Sequence, residues 1–499
     1  MSGAMRAARR TFLASGALLA GGLITGGSAD PALAARSRAA GAGIGAGIGA
    51  GTGAGTGAGP APAGGRPAVS PFRSQTFNDE GLFVLGAAGV GTADVGEVLT
   101  AFDAINARTG NPARLARRDF DAYADDFEAG GLRLAGLAQS SSAAGQTVSA
   151  KYQHLRAGNF LSQALFFVLG TSAPAREELF FDRVDQQWQA ALADMTPAPV
   201  QFSVQAGPYM LPVYFFRPDD SGTARPTLII SDGSDGQNVE TMQFGVVAGL
   251  ERGYNIALFE GPGQMSLLFR DKIPFTPDWD QVIGPVASAL AARPDVRSDR
   301  IGLVGVSFAG MLCARAAARL PGLAAVVLEP AAVDLARIWN DPADLAIVAK
   351  AEHYPPAERL KVQRAVNAGF RKDWPHLTPE EQFVVHKRGE IFTTRTLEDA
   401  RAGRPPSDYF GLLEAILRFD FTADYREITI PTLVTANEGD TFFGPQPDEA
   451  FDLLVKVPAA DKKLVVFTSA EGAQRHDQPM APQFAQEVIF GWLARYLQD

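Results

Sequence analysis

The strongest signal for chemistry in this sequence is Ser307, within the run RIGLVGVSFAG from Arg300 to Gly310. The first half of the run predicts a short buried strand, and the residues after the serine predict a helix. Small residues at Gly305 and Ala309 allow a sharp turn between the two, which would leave the Ser307 hydroxyl exposed above the end of a sheet. The pattern therefore predicts a nucleophile elbow.

A serine hydroxyl is a weak nucleophile unless a base takes its proton, so a histidine is expected after Ser307. The chain has five histidines, and only His476 follows the last predicted strand, in a loop before the final helix. The other four precede that strand: His154, His353, His376 and His386. Since the base follows the last strand in the order serine, acid, histidine, His476 is predicted to be the base.

The acid that orients the histidine is expected after the preceding strand. The predicted strand at 432–435 leads into the loop Asn437-Glu438-Gly439-Asp440. We predict Asp440 as the acid, with Glu438 as the alternative.

A tetrahedral intermediate also needs N–H donors for its oxyanion. One is predicted to be the backbone N–H of Phe308, at the start of the helix after the serine. The second is expected in the loop SDGSDG at 231–236, where the N–H of Ser234 would donate and Gly233 would allow close approach. The alternative for this loop is a turn that only caps the next helix.

Other motifs give no cofactor or metal site. The glycine-rich segment at 260–264 lacks the Lys-Ser/Thr of a P-loop and the spacing of a dinucleotide fingerprint, and is interpreted as a turn near the site. No two histidines have metal-ligand spacing, and the residues from Asp232 to Asp235 do not fit a calcium loop. Cys313 is predicted to be inert packing in a helix. The sequence therefore predicts neither a cofactor nor a metal.

These candidate residues follow short apolar strands that alternate with helices, a pattern that predicts a mostly parallel sheet covered on both faces. The predicted strands are at 227–230, 255–259, 301–306, 324–328, 432–435 and 463–467, with a hairpin from 200–204 to 211–217. The prediction is an α/β fold with an eight-stranded sheet.

Two further regions are predicted to be helical. Residues 70–197 carry apolar stripes at helical spacing and form a predicted N-terminal cap domain. Residues 331–426 separate two strands by far more than a connection needs, and include a capping box at Thr378, so they are predicted to be a helical lid. In the core, Thr276 and Pro277 predict the start of another helix.

The first 34 residues predict an export signal. Arg9 and Arg10 form a twin-arginine pair, and a short apolar run then leads to a small-x-small cleavage site after Ala34. Residues 35–69 are predicted to be a Gly/Ala-rich flexible linker. The expected partner is the twin-arginine export machinery, the expected location is secreted, periplasmic or cell-envelope, and no stable membrane span is expected after cleavage.

Composition excludes several classes of function. The formal net charge is −10, and no cluster of Lys or Arg offers a basic surface, which argues against nucleic-acid binding. One cysteine excludes an intramolecular disulfide framework and a thiolate-rich metal site.

Several segments together resemble a branch of the α/β hydrolases: FEGPGQ, RIGLVGVSFAG, ITIPTLVTANEGD and FTSAEGAQRHDQ. That branch includes the 2,6-dihydroxypseudooxynicotine hydrolases, the fungal naphthopyrone-shortening hydrolases and the fermentation–respiration switch esterase-like proteins. The resemblance extends from about Tyr152 to the C-terminal segment and includes the helical module.

The resemblance implies cleavage of an ester, or of a carbon–carbon bond next to a carbonyl, through a Ser–Asp–His triad on Ser307, Asp440 and His476. Two positions depart from the family's pattern. Asp477 stands where cysteine usually follows the histidine, and Ala309 stands where glycine is common. Neither departure is expected to touch the triad.

We therefore predict an exported serine hydrolase with core segments at 198–330 and 427–499, acting on a small hydrophobic or aromatic molecule. The alternatives are a peptidase or an acyltransferase with the same triad, or a non-catalytic binding protein on a hydrolase scaffold. The apolar residues expected near the substrate are Phe166, Phe167, Trp339, Phe410 and Leu412.

Overall fold

A computed structural model of the chain describes residues 70–339 and 341–498. The predicted export signal at 1–34 and the predicted linker at 35–69 lie outside the described residues. Among the residues that are described, no helix has the length and apolar composition needed to cross a bilayer.

The predicted eight-stranded, mostly parallel sheet is confirmed within the described residues. Its strands are β1 (Val200–Ala206), β2 (Tyr209–Phe216), β3 (Arg225–Ser231), β4 (Asn255–Phe259), β5 (Val296–Val306), β6 (Leu323–Glu329), β7 (Thr432–Asn437) and β8 (Lys462–Phe467). Their spatial order is β1-β2-β4-β3-β5-β6-β7-β8. The hairpin β1–β2 and the β2–β4 pair are antiparallel, and all later neighbours are parallel.

The parallel strands are apolar because helices cover both faces of the sheet. All five residues of β4 and the six residues 301–306 of β5 are buried. Since β3, β5, β7 and β8 run in the same direction, the loops at their carboxyl ends meet at one edge, where open α/β sheets bind ligands.

The core contains six α-helices among the described residues: α6 (Val246–Glu251), α7 (Met265–Phe269), α8 (Asp280–Ala291), α9 (Phe308–Arg319), α16 (Gln446–Leu453) and α17 (Pro482–Leu497). The predicted helix start at Thr276 and Pro277 is wrong, because α8 begins at Asp280. The Thr276 hydroxyl accepts the Asp278 N–H, and the Trp279 N–H donates to the Pro277 carbonyl, which closes a turn ahead of the helix.

Before the sheet, the described chain forms five α-helices packed on an aromatic core: α1 (Gln75–Gly86), α2 (Val95–Thr109), α3 (Arg117–Ala143), α4 (Thr147–Phe167) and α5 (Glu177–Ala193). The Tyr123 ring centroid lies 4.5 Å from those of Phe77 and Phe167. Aromatic pairs at this spacing stabilise a core beyond the area they bury.

Between β6 and β7 the described residues form six α-helices: α10 (Pro342–Ala351), α11 (Pro356–Asp373), α12 (Pro379–Gly389), α13 (Thr394–Arg401), α14 (Tyr409–Leu417) and α15 (Thr422–Glu427). The predicted capping box is present, with Thr378 capping α12 and Glu381 closing it. An ion pair of 2.7 Å between Arg401 and the fully buried Glu177 ties this insertion to the N-terminal helices.

Candidate active site

Ser307 occupies the sharp turn between β5 and α9. Its backbone has φ +53° and ψ −123°, a conformation that side-chain-bearing residues rarely adopt. The Ser307 N–H donates to the Glu329 carbonyl at 2.6 Å, which holds the turn against β6. A Cβ at Gly305 would collide with the Ala309 carbonyl, so glycine is required there. The result is a partly exposed hydroxyl above the carboxyl end of the sheet.

The structure brings Ser307, His476 and Asp440 together. The Ser307 Oγ lies 2.9 Å from His476 Nε2, and His476 Nδ1 lies 2.8 Å from Asp440 Oδ2. The other Asp440 oxygen accepts the N–H groups of Phe442 and Phe443 at 2.7 and 3.2 Å. The carboxylate is thereby fixed, and it in turn fixes the imidazole.

The competing candidates lie elsewhere. Glu438 is exposed and its carboxylate accepts the Ser469 N–H at 2.7 Å, so it does not serve His476. His154 bonds to Gln187, and His386 bonds to the Arg404 carbonyl. His353 and His376 are exposed on the insertion.

The predicted oxyanion loop lies against the nucleophile. A Cβ at Gly233 would come within 2.8 Å of the Ser307 Cβ, so only glycine permits this approach. The Gly233 N–H donates to the Asp232 carboxylate at 2.8 Å. The hydrogen bonds within the described residues leave the N–H groups of Ser234 and Phe308 unused, and both residues line the cavity.

The glycine-rich segment at 260–264 follows β4 near the site, as predicted, and it also supports this loop. Gln264 Nε2 donates to the carbonyls of Asp232 and Gly233 at 2.5 and 3.1 Å. The buried Glu260 carboxylate accepts the Tyr214 hydroxyl at 2.8 Å, which anchors the turn to β2.

A cavity of about 250 Å³ opens over Ser307, between the sheet, the N-terminal helices and the insertion. In the part of the chain that the structure describes, its wall includes eleven Phe, Tyr and Trp residues, among them Phe166 and Trp339 as expected. The lining does not include the other three apolar residues that were expected near the substrate, which are fully buried in the core: Phe167, Phe410 and Leu412.

Charge is distributed unevenly around the imidazole. Burial raises the pKa of Asp440, but the His476 ring and the two backbone N–H donors outweigh burial and lower it below the usual value. Burial lowers the pKa of His476, but Asp477 and Asp440 outweigh burial and raise it to about 9. The imidazolium is therefore the favoured form at neutral pH.

Asp477 is the functional candidate that sequence reasoning missed, because a departure at this position was expected not to touch the triad. Its Oδ2 lies 3.5 Å from His476 Nε2, the nitrogen that faces Ser307. Its side chain is 5% exposed, and Oδ1 has no hydrogen-bond partner within the described residues. Burial, with Asp440 and Asp235, raises the pKa of Asp477 to about 7, although the charge of His476 and a backbone hydrogen bond at Ser307 lower it.

Other carboxyl groups also face the cavity. Burial raises the pKa of Asp232 to about 7 and that of Glu80, which comes from α1, to about 8. Asp235 differs, because Arg388 and Lys387 of the insertion outweigh burial and lower its pKa. No sequence motif marked Glu80, since only the packing of α1 over the sheet brings it here.

The loop that carries His476 is held by α1. Arg475 forms an ion pair with Asp79, and both side chains are about four-fifths buried. Gly86 packs directly on the Pro479 carbonyl, where a Cβ would collide with the backbone. The N-terminal helices therefore help to position His476.

Metal and thiol chemistry find no support in the described residues. No group of three or more His, Cys, Asp or Glu side chains there is arranged to hold a metal ion. Cys313 is fully buried in α9, and burial raises the pKa of its thiol, as inert packing requires.

Comparison with known proteins gives the class. No protein-family model matches the chain. The hydrolyase poxO of Penicillium oxalicum is 26% identical over 413 residues, which cover 80% of this chain and 92% of that protein. The alpha/beta hydrolase psoB of Aspergillus fumigatus is 31% identical over 267 residues, covering 50% of this chain and 56% of psoB.

Among solved structures, a 2,6-dihydroxy-pseudo-oxynicotine hydrolase superimposes with a TM-score of 0.57 at 19% identity, covering 83% of this chain and 95% of that one. Together with the sheet order, this likeness defines the α/β-hydrolase fold. The chain is a hydrolase of the α/β-hydrolase superfamily, similar to fungal hydrolases along most of its length.

Proposed function

We propose that this protein is a serine hydrolase that cleaves an ester, or a carbon–carbon bond next to a carbonyl, through an acyl-enzyme on Ser307. The observation that carries the proposal is the continuous chain of contacts from Ser307 Oγ through His476 to Asp440, at 2.9 and 2.8 Å. Both distances are within the range of hydrogen bonds, and the hydroxyl opens onto the cavity.

The geometry supports a two-stage mechanism. In acylation, Ser307 Oγ attacks the carbonyl carbon while His476 Nε2 takes the hydroxyl proton, and Asp440 stabilises the imidazolium. The free N–H groups of Phe308 and Ser234 would donate to the oxyanion. The imidazolium then gives its proton to the leaving oxygen or carbon, and a water activated by His476 releases the acyl group.

The cavity supports a small, largely apolar substrate. About 250 Å³ accommodates a compact aromatic molecule rather than a folded chain. Phe166, Phe244 and Phe392 offer ring faces, while Asp232 and Glu80 offer polar contacts. Lys387 and Arg388 also line the cavity, so a substrate meets charged groups of both signs there.

Export by the twin-arginine route is part of the proposal and is supported by the sequence alone. Replacing Arg9 and Arg10 together by lysine is expected to keep the protein inside the cell, as measured by immunoblot of cell and medium fractions. Unchanged export of this variant would contradict the route.

The decisive experiment is active-site labelling. The protein from residue 35 onward is incubated with a fluorophosphonate, and its intact mass is compared with that of the Ser307→Ala variant. One adduct on the wild type and none on the variant supports the proposal.

A folded wild type that forms no adduct at any pH contradicts it and favours the binding-protein alternative. Product analysis with aryl esters and with β-diketones then distinguishes ester cleavage from carbon–carbon cleavage. Ser203→Ala, which changes an exposed serine of β1, is the matched control and should label like the wild type.

A further inference from the structure

Asp477 lies where a carboxylate can act on the base. The Ser307 hydroxyl and the Asp477 carboxylate both approach Nε2 of His476, at 2.9 and 3.5 Å, while Asp440 binds the opposite nitrogen. A distance of 3.5 Å is longer than a hydrogen bond and well within the range of a strong ion pair. Asp477 therefore acts on the imidazole through charge, without displacing the nucleophile.

The backbone holds the Asp477 carboxyl group in this position. Asp477 and Gln478 have φ of +58° and +48°, which is an uncommon conformation for residues other than glycine. The Gln478 N–H donates to the Arg475 carbonyl at 2.9 Å and closes the turn. The turn places Asp477 in the cavity wall, with Oδ1 unpartnered within the described residues.

Other charged groups act on the pair from several elements. Six charged groups in the described part of the chain influence the titration of His476 or Asp477, or are influenced by it. They are Asp440, Asp235, Asp232, Glu329, Arg388 and Asp79. Arg388 opposes protonation of His476, and Asp440 favours it. Only Asp477 places a carboxylate within an ion-pair distance of Nε2 among the described residues.

We propose that Asp477 is a positioning residue for the proton on His476, and that it sets the pH above which the imidazole can act as the base. An ionised Asp477 stabilises the proton on Nε2, and a protonated Nε2 cannot accept the proton of Ser307. When the pH rises and Nε2 loses this proton to solvent, the neutral imidazole can act as the base again. It is then a stronger base than it would be without the Asp477 charge. The inference rests on the proposed function for its kinetic test.

The direction of the effect is consistent with the ionisation of the two groups. The charge of Asp477 raises the pKa of His476 more than the charge of Asp440 does, and a hydrogen bond from Asp440 adds to the rise to about 9. Because the raised pKa belongs to the protonated imidazole, activity is lost as the pH falls below about 9 and recovers as the pH rises through it. The two groups interact, so the pair is expected to titrate in two steps.

The kinetic test is the pH profile of fluorophosphonate labelling in the wild type and in Asp477→Asn. The variant's midpoint is expected to fall by about one to three pH units, the usual effect of a neighbouring charge. At pH 7 the variant should label at least about tenfold faster than the wild type, and at pH 10 it should label more slowly because its base is weaker. Superimposable profiles would overturn the proposal.

Three further variants separate charge from structure. Asp477→Gly tolerates the positive φ and should shift the profile as Asn does, whereas Asp477→Glu keeps the charge and should restore most of the wild-type midpoint. Glu438→Gln removes an exposed carboxylate from the neighbouring loop and should leave the midpoint unchanged. If the midpoint of the pH profile shifted with every substitution in these loops, whether or not the charge changed, the proposal would be overturned.

A measurement on the unmodified protein is independent of activity. In ¹⁵N spectra, the His476 ring nitrogens, assigned by their loss in His476→Gln, should titrate in two steps in the wild type and in one lower step in Asp477→Asn. A single, identical step in both proteins overturns the inference. If labelling fails at every pH while this coupling is seen, the proposed function fails and the role of Asp477 stands.

Discussion

Asp440 and Asp477 lie on opposite sides of one imidazole, and they differ in how their oxygens are satisfied. Asp440 has contacts on both oxygens, from His476 and from two backbone N–H groups, and its pKa is lowered despite burial. Asp477 has one unpartnered oxygen within the described residues, and burial raises its pKa to about 7. The His476 charge lowers the pKa of both carboxyl groups, but at Asp440 three hydrogen bonds add to it and together they outweigh burial, whereas at Asp477 burial prevails.

The largest expected effect comes from removing His476, which lies between the two carboxylates, or Ser307, which it contacts. Ser307→Ala or His476→Ala should lower turnover by roughly 10³- to 10⁶-fold, because nucleophile and base act as a unit. Turnover is measured on an activated ester, with thermal unfolding as the control for folding. Activity within tenfold of the wild type in either folded variant would show that the imidazole serves no nucleophile.

The next effect separates the two carboxylates by role. Asp440→Asn should lower turnover by about 10⁴-fold, because the amide favours the wrong imidazole tautomer. Asp477→Asn should instead move the pH profile, as described above. Equal losses in both variants at their best pH would mean that the carboxylates share one role.

A smaller effect separates the position of the Ser307 side chain from the protonation state of His476. Gly233→Ala should lower turnover by about 10²-fold, because the added methyl group would lie 2.8 Å from the Ser307 Cβ and displace the nucleophile. The midpoint of the pH profile should not change, since no charge changes. A shifted midpoint in this variant would indicate that geometry, rather than charge, controls the titration of His476.

The smallest effect is a control for stability alone. Thr378→Ala removes the cap of α12 and should lower the free energy of unfolding by about 1 kcal/mol, measured by chemical denaturation. Turnover and the pH midpoint should remain at wild-type values. If this variant altered the midpoint, shifts seen in Asp477 variants could no longer be assigned to the lost charge.

Local signals were enough to predict the sheet and the residues Ser307, Asp440 and His476 that meet at its edge. Each predicted strand overlaps an observed strand, because buried parallel strands are continuous apolar runs. The loop after β7 offers both Asp440, the predicted acid, and Glu438, the alternative, and the structure puts Asp440 beside His476. Strand order fixes where loops meet, so residues at strand ends could be paired without knowing the packing.

Features that depend on packing could not be predicted. Nothing local distinguishes Glu80 from other helix carboxylates, and only the docking of α1 brings it to the cavity. The position of Asp477 depends on a positive φ that its own sequence does not require. Phe167 and Phe410 are as apolar as Phe166, yet each is in a core rather than in the cavity wall, because helix orientation decides which face is exposed.

The ion pair between Asp79 and Arg475 joins positions that are 396 residues apart. During translation the ribosome makes α1 long before it reaches the loop that α1 must hold. A nascent chain can therefore form the Ser307 elbow and still lack a fixed base. If the proposed function holds, cleavage on Ser307 would begin only after synthesis of the His476 loop, when most of the chain has been made.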